Sequence, residues 1–254
     1  ALKAAHVGVS LSTAEASVAA PFTSGIPNVS CITKLISEGR CSLVTSFAIF
    51  KYMAIYSLIQ FFTVLILYTY HSNLGDFQFL YIDLFITTIL AVTMGRQGPC
   101  RDLSSKRPLS SLISSQNLVP LILQVFSCGV VQLVALYFLF QQEWFHPIPP
   151  NSKSEIILSW ENTVLFSVSS HQYVIMAWYF SKGRPYREPA ITNVWFLISV
   201  IGLTSFSTWL MIAPCEKMAD IMELMYHVTP KQQRFRYELL VFPLIHFLLA
   251  GCIE

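Results

Sequence analysis

The sequence predicts a mainly α-helical, polytopic membrane bundle of six spans, and two observations carry that prediction. Hydrophobic residues make up 54% of the 254 residues and charged residues only 12%, about half the charge of an average soluble domain. The apolar residues are also gathered into long runs, and mean hydropathy is +0.56. A helix needs roughly 20 mostly apolar residues to cross the hydrocarbon of a bilayer. Six segments approach that length: 47–70, 77–94, 118–140, 163–180, 194–213 and 239–253. Buried helices of a soluble protein show similar periods, but six in succession with so little charge argue against them. The sixth is short and carries Pro243 and His246, so it needs Tyr237 and Glu238 at its end to reach across.

Basic residues orient these spans, because connections on the cytosolic side collect Lys and Arg. The connection after span two holds Arg96, Arg101, Lys106 and Arg107, and that after span four holds Lys182, Arg184 and Arg187. Both are therefore expected in the cytosol, together with 30–51 and its Lys34, Arg40 and Lys51. The connections after spans one and three contain only Lys153 and are expected in the lumen. Residues 214–237 dissent, with Lys217, Lys231, Arg234 and Arg236 on the lumenal side. An interfacial amphipathic helix over MADIMELMYHV accommodates them. The five tryptophans fall near span ends, where aromatic belts sit.

Other classes receive no support. A net charge of +2 gives no case for nucleic acid, and six scattered cysteines show neither a disulfide framework nor metal-ligand spacing. Residues 1–24 read as the broken-off end of a soluble domain, and the chain opens on Ala1 rather than Met, so more sequence is expected upstream. They lack the charged start and continuous apolar core of a secretory signal. From ISEGRCSL onward the chain has few helix breakers, so a stalk helix is expected to run unbroken into span one.

Several strings then carry a resemblance. ALKAAHVGVSLS, followed by AEASVAAPF and an EGR-containing stalk, resembles the end of the phosphorylation domain of P-type ATPases. FKYMAIYSLIQF, LGDFQFLYIDLFITT, ENTVLFSVSS and SKGRPYREP resemble type V subgroup B of that family, the polyamine transporters of endosomal and lysosomal membranes. The match covers about residues 1–213 well and the remainder weakly. It implies that 1–30 are the C-terminal α/β remnant of a haloacid-dehalogenase-like phosphorylation domain. It likewise makes 31–46 a stalk and 47–254 the transmembrane domain, with the family's helices five to ten.

The resemblance also implies an aspartyl-phosphate cycle that drives a polyamine from lumen to cytosol, in a late endosomal or lysosomal membrane. ATP and Mg2+ would be bound by upstream domains and not here, and the partners would be the polyamine, the bilayer and the upstream part of the same pump. No Asp-Lys-Thr-Gly string and no Gly-rich phosphate loop occurs in this sequence. The chain alone is therefore expected to hold no catalytic residue and to be inactive. Two other readings stay open: a non-enzymatic truncated membrane fragment, and a P-type pump or helix dislocase for another substrate.

Within the spans, Asp83 is the conspicuous residue. A carboxylate at the centre of a span costs about 2.5–3.5 kcal/mol on insertion scales, which makes it a functional candidate by default. The competing role is a structural acid bonded to a neighbouring helix. Tyr56 and Gln60 lie one turn apart on span one and share a face. Counting helix rise, Gln60 and Asp83 fall at similar depth, roughly 15 and 9 Å from the lumenal ends of their spans. A carboxylate, an amide carbonyl and the rings of Tyr56 and Phe79 suit an ammonium chain through ion pairing, hydrogen bonding and cation–π contact. The resemblance places Tyr56, Gln60 and Asp83 at polyamine-contacting positions. Gln60 could equally serve as interhelical glue. Asp76 and Glu161 at lumenal span ends are candidates for an entrance, or else solvated helix-start acids. Lys182 and its basic neighbours read as topology determinants, and His71, His171 and His246 have no metal-ligand spacing.

Overall fold

In the computed structural model of the chain, residues 28–147, 156–226 and 228–254 are described. The expected phosphorylation-domain remnant therefore lies, apart from residues 28–30, outside the described residues, as does Lys153. What is described is helical: α1 (Ser30–Thr69), α2 (Asp76–Met94), α3 (Ser115–Phe140), α4 (Trp160–Phe180) and α5 (Val194–Ile212). Short α6 (Glu216–Ile221) is followed by α7 (Pro230–Leu239) and α8 (Val241–Ile253). Among the described residues the only β pairing is an isolated bridge between Pro99 and Arg187.

Each boundary has a local cause. Helix α1 runs for 40 residues without a break, about 60 Å, so the expected stalk and first span form one rod. It ends where His71 takes a left-handed conformation (φ 56°). Ser72 N–H then reaches back to Leu67 O at 3.1 Å and His71 N–H to Tyr68 O at 3.2 Å, the paired bonds of a Schellman ending. Helix α2 starts at Gly75, whose N–H donates to Gln78 Oε1 at 3.1 Å. A side chain at Gly75 would collide with the Glu223 carboxylate, 1.9 Å from an added Cβ. Helices α7 and α8 together span Pro230–Ile253, and the joint at Leu240 comes three residues before Pro243. A proline there has no N–H for the preceding turn. The extra length from α7 is what the short sixth segment needed.

Among the described residues, five helices are long and apolar enough to cross a membrane by length and composition: α1, α2, α3, α5 and Pro230–Ile253. The remaining expected span, α4, is long enough at 21 residues but too polar for that set, and its position explains why. It is the hub of the bundle, packed by α1, α3, α5, α8 and α2, and 18 of its residues are buried. Its neighbours supply the apolar exterior, so α4 can carry Ser167, Ser169, Ser170, His171 and Gln172 inside. Small residues let the surrounding helices approach. Ser170 and His171 return hydrogen bonds to the α4 backbone, at 2.7 Å each.

The loops sort to two ends. At one end the basic connections meet α1. Cys100 N–H donates to Tyr186 O (3.1 Å) and Glu188 N–H to Gly98 O (2.9 Å). Ser37 Oγ donates to Cys100 O and Arg40 to Ser104 O. Arg187, only 1% exposed, caps the end of α4 by donating to the carbonyls of Phe180 and Lys182. Cationic donors are favoured there, at the negative end of the helix dipole, while burial holds its guanidinium below the ordinary arginine range.

At the other end, Ser72 Oγ donates to Ile156 O at 2.9 Å, Gln78 Nε2 to Met222 O at 2.6 Å and Met225 N–H to Thr163 Oγ1 at 3.2 Å. The basic 214–237 connection lies at this end. It is not the long amphipathic surface helix expected from MADIMELMYHV, since helix covers only Glu216–Ile221. The chain then turns inward, burying Ala219, Met222 and Leu224. Arg236 is 3% exposed, sits 5.7 Å over the Trp160 ring and donates to the carbonyls of Ile212 and Met225. Of the four basic residues that argued against this sidedness, Arg236 is thus consumed inside the fold, while Lys217, Lys231 and Arg234 stay exposed.

Candidate functional site

The central polar contact of the α1–α2 pair is a hydrogen bond from Tyr56 Oη to Asp83 Oδ1, 2.5 Å long. Asp83 lies seven residues into α2, roughly 10 Å along its axis, so the carboxylate sits well away from either end of that helix. The backbone around it is a π-helix, Tyr81–Thr88, and Thr88 Oγ1 donates to the Asp83 carbonyl five residues back at 2.8 Å. Such wider turns recur at functional sites because they re-aim side chains. Asp83 is exposed on the outer face of the bundle, ringed by exposed Leu80, Leu84 and Phe85. An ionisable carboxylate on an apolar face of this kind is far from its preferred surroundings.

Behind this face stands an aromatic wall. The Tyr56 ring lies 5.9 Å from that of Tyr173 on α4, and Tyr52, one turn before Tyr56, is fully buried. The Tyr52 hydroxyl is beside Thr87 and the Tyr173 hydroxyl beside Ser169, neither in ordinary hydrogen-bond geometry. Tyr52 and Tyr173 were not singled out from sequence. The one-turn spacing of Tyr52 and Tyr56 was a signal for the first, whereas nothing in the α4 sequence announces that Tyr173 meets them.

Of the expected site residues, the structure therefore joins Tyr56 and Asp83. Gln60 is half-buried and makes no hydrogen bond to Asp83. Phe79, half-buried one turn before Asp83, packs against the core. Asp76 is exposed in the first turn of α2, as a solvated helix-start acid would be. Glu161 is not solvated: it is 2% exposed in the first turn of α4.

A second polar system runs through the interior. Thr63 Oγ1 on α1 contacts Gln132 Oε1 on α3 at 3.2 Å, and Gln132 Nε2 donates to Gln172 Oε1 on α4 at 2.8 Å. Gln172 Nε2 donates to Cys128 O at 3.0 Å, and Cys128 Sγ meets His246 Nε2 of α8 at 3.3 Å. Nearby, Gln124 Nε2 donates to Ala250 O at 3.0 Å, tying α3 to α8 again. On another side of α4, His171 Nε2 contacts Thr208 Oγ1 at 3.1 Å. His171 and His246 thus have structural partners, and among the described residues no cluster of three His, Cys, Asp or Glu side chains could hold a metal ion.

No family model matches the sequence. Among curated proteins, the chain is 50% identical over 215 residues to polyamine-transporting ATPase 13A2 of Homo sapiens, an alignment taking in 84% of this chain and 18% of that protein. It is 39% identical over 276 residues to polyamine-transporting ATPase 13A3 of Homo sapiens, covering 100% of this chain and 22% of the relative. It is 42% identical over 247 residues to the vacuolar cation-transporting ATPase YPK9 of Saccharomyces cerevisiae, covering 97% of this chain and 16% of the relative. The chain thus spans no more than 22% of the length of these curated relatives.

Proposed function

The chain is a homologue of the P-type polyamine-transporting ATPases over most of its length, and on that premise we propose that it supplies the membrane half of a polyamine pump, with α4 as a sixth span at its centre. In this reading the α1–α2 face bearing Asp83 and Tyr56 is one wall of the substrate path. The rest of the path comes from helices outside this chain, which would also shield the Asp83 carboxylate from lipid. Asp83 pairs with an ammonium group, Tyr56 holds the carboxylate in place, and Gln60 offers a carbonyl to further N–H donors. The exposed rings along this face add cation–π surface.

The energy comes from an aspartyl-phosphate cycle housed outside this chain, since the sequence contains no Asp-Lys-Thr-Gly. ATP and the magnesium ion such a cycle uses are accordingly assigned to other domains. Residues 1–30 belong to the end of the phosphorylation domain, and the lower part of α1 is the stalk that carries its movement to the Asp83 face. Transport runs from the lumen of an endosomal or lysosomal compartment to the cytosol, the side of the basic loops.

The observation that carries this reading is the outward-facing, tyrosine-bonded carboxylate of Asp83, partway along an apolar helix pair. A purely structural acid is better served turned inward among donors, as the glutamines of the interior are. The test is substrate-stimulated ATPase activity of the full-length pump against polyamine concentration. Asp83→Asn keeps size and hydrogen bonding but removes the counter-charge. Loss of a hydrogen bond to a charged group costs about 1.5–3 kcal/mol, so half-maximal concentration rises about 10- to 150-fold, with Asp83→Glu milder and expression little changed. An unchanged half-maximal concentration and maximal rate for Asp83→Asn would place the path elsewhere.

A further inference from the structure

Three hydroxyls stand unused behind the Asp83 carboxylate. Tyr52 on α1 and Tyr173 on α4 are wholly inaccessible, and Thr87 on α2 is 3% exposed. Tyr52 Oη, Thr87 Oγ1 and Tyr173 Oη all lack a hydrogen-bond partner among the described residues. They are also neighbours. Tyr52 and Thr87 lie beside each other, each about one turn from Tyr56 and Asp83 toward the basic-loop end of the same two helices. The Tyr173 ring packs on that of Tyr56 at 5.9 Å, and Tyr173 lies within electrostatic reach of Tyr52 and Asp83. Nearly all buried polar groups in folded proteins have a partner, so three orphans in one place need a reason.

The surplus of donors is matched by a shortage next to it. Asp83 Oδ1 accepts from Tyr56, and no described residue donates to Oδ2, whereas an ionised carboxylate accepts up to about four hydrogen bonds. A bound ammonium group makes up the difference in the outward position. Once that group has left, the carboxylate looks onto exposed Leu80, Leu84 and Phe85, where a bare charge is costly. The unused donors then lie on its inner side, in the aromatic wall that backs the Asp83 face, and not in the glutamine network.

We propose that Asp83 has two positions: outward, held by Tyr56 and open to an ammonium group, and inward, where its carboxylate accepts from Tyr173 and Tyr52 after the substrate has left. Tyr173 and Tyr52 are then positioning residues that act on Asp83 and never touch the polyamine. The inward position satisfies the orphaned hydroxyls and withdraws the counter-charge from the path, so it favours release over rebinding. This inference rests on the reading of Asp83 as the counter-charge for the substrate. A water bridging the three hydroxyls would satisfy them equally, but it would leave Asp83 with Tyr56 alone, and the two cases differ in their kinetics.

The experiment measures ATPase activity of the full-length pump against spermine concentration for Tyr173→Phe, Tyr52→Phe and the double variant, with Asp83→Asn alongside. Each phenylalanine keeps its ring and removes only the inward donor. The outward position then loses its competitor, so the half-maximal spermine concentration is expected to fall about three- to tenfold, the worth of one hydrogen bond. Maximal rate is expected to fall with it, because release is no longer favoured. Tighter apparent binding with slower turnover is a split that a packing role does not produce, and it is opposite in sign to the loss of the Tyr56 hydroxyl. Unchanged kinetics with a lower unfolding midpoint would make these hydroxyls water-bridged packing groups. A raised half-maximal concentration would put Tyr173 or Tyr52 on the substrate itself. Either result overturns the two-position inference, and if Asp83→Asn still raises the half-maximal concentration, the reading of the Asp83 path stands. If Asp83→Asn leaves spermine dependence unaltered, both fall.

Discussion

The polar interior of the bundle and the Asp83 face of α1 and α2 are both built on membrane-length helices, yet their polar groups are treated in opposite ways. Inside, Gln124, Gln132, Gln172 and His246 are wholly inaccessible, and each meets a partner on another helix. No formal charge is spent there, and uncharged amides give and take hydrogen bonds in both directions. On the outer face a carboxylate is exposed and bonded by one tyrosine, with lone pairs to spare. The interior bonds fix helices relative to one another, leaving only Gln124 Oε1 and His246 Nδ1 of these four side chains unpartnered, whereas the exposed acceptor waits for a donor that the described residues do not supply. The contrast teaches that polarity within a span has to be judged by how completely it is satisfied, not by its presence.

If the contrast is sound, interior substitutions move stability and leave substrate affinity alone, and face substitutions do the reverse. The largest interior effect is expected for Gln132→Leu, which withdraws the donor from Gln172 and the acceptor from Thr63. Orphaned buried groups cost about 1–3 kcal/mol each in water-soluble proteins. Interhelical bonds in membranes average nearer 0.6 kcal/mol because the unfolded helices also find partners. The smaller scale governs here, so a loss of about 1 kcal/mol is expected for the pair of bonds, read from thermal unfolding in detergent. An unchanged unfolding midpoint with a raised half-maximal polyamine concentration would erase the distinction between the two regions.

Tyr56→Phe sharpens the other half. It removes the hydroxyl that anchors Asp83 while retaining the ring against Tyr173. The carboxylate keeps its charge, so the effect is smaller than for Asp83→Asn: about a three- to tenfold rise in half-maximal concentration, from roughly 1 kcal/mol of lost orientation. The unfolding midpoint is expected to stay put, since water in the substrate path can replace the hydroxyl on this open face. Dose–response curves and melting curves on one preparation separate these outcomes, and a lower midpoint with unaltered affinity would make Tyr56 a packing residue.

How far the sequence could be read follows the same line. Apolar runs place helices at all six expected segments, because length and hydrophobicity are local properties. The 230–239 extension of the last one was hidden, since PKQQRFRYEL is polar and becomes helical against Trp144, Trp160 and α5. Depth counting along antiparallel neighbours brought Asp83 level with Gln60, whereas the bond is made by Tyr56, one turn further from the lumenal end of α1. The π-helix was not legible, because a single wide turn depends on how α2 fits α1 and α4 rather than on any residue in FLYIDLFITT. The central place of α4 was half-legible: its serines, histidine and glutamine look like a poor span until five other helices surround them. The inward collapse of 214–226 was invisible, since it turns on tertiary bonds such as Gln78 to the Met222 carbonyl.

The smallest expected effect tests whether the two regions are insulated where they come closest. Tyr81 sits two residues before Asp83 but points inward, 4% exposed, with its hydroxyl 3.0 Å from Ser207 Oγ on α5. Its ring also packs on Phe166 and Phe206, and these contacts survive in Tyr81→Phe. Only the hydroxyl bond goes, worth about 0.6 kcal/mol in a membrane setting, and Ser207 is left to turn its hydroxyl toward its own helix backbone. A slightly lower unfolding midpoint with unchanged polyamine dependence is therefore expected. The opposite result would be informative despite its size. Were Tyr81→Phe to alter polyamine affinity as much as Tyr56→Phe does, the inward and outward sides of the π-helix would be coupled. The wide turn would then act as a hinge that transmits α5 packing to Asp83, and the Asp83 face could no longer be treated as separate from the core beneath it.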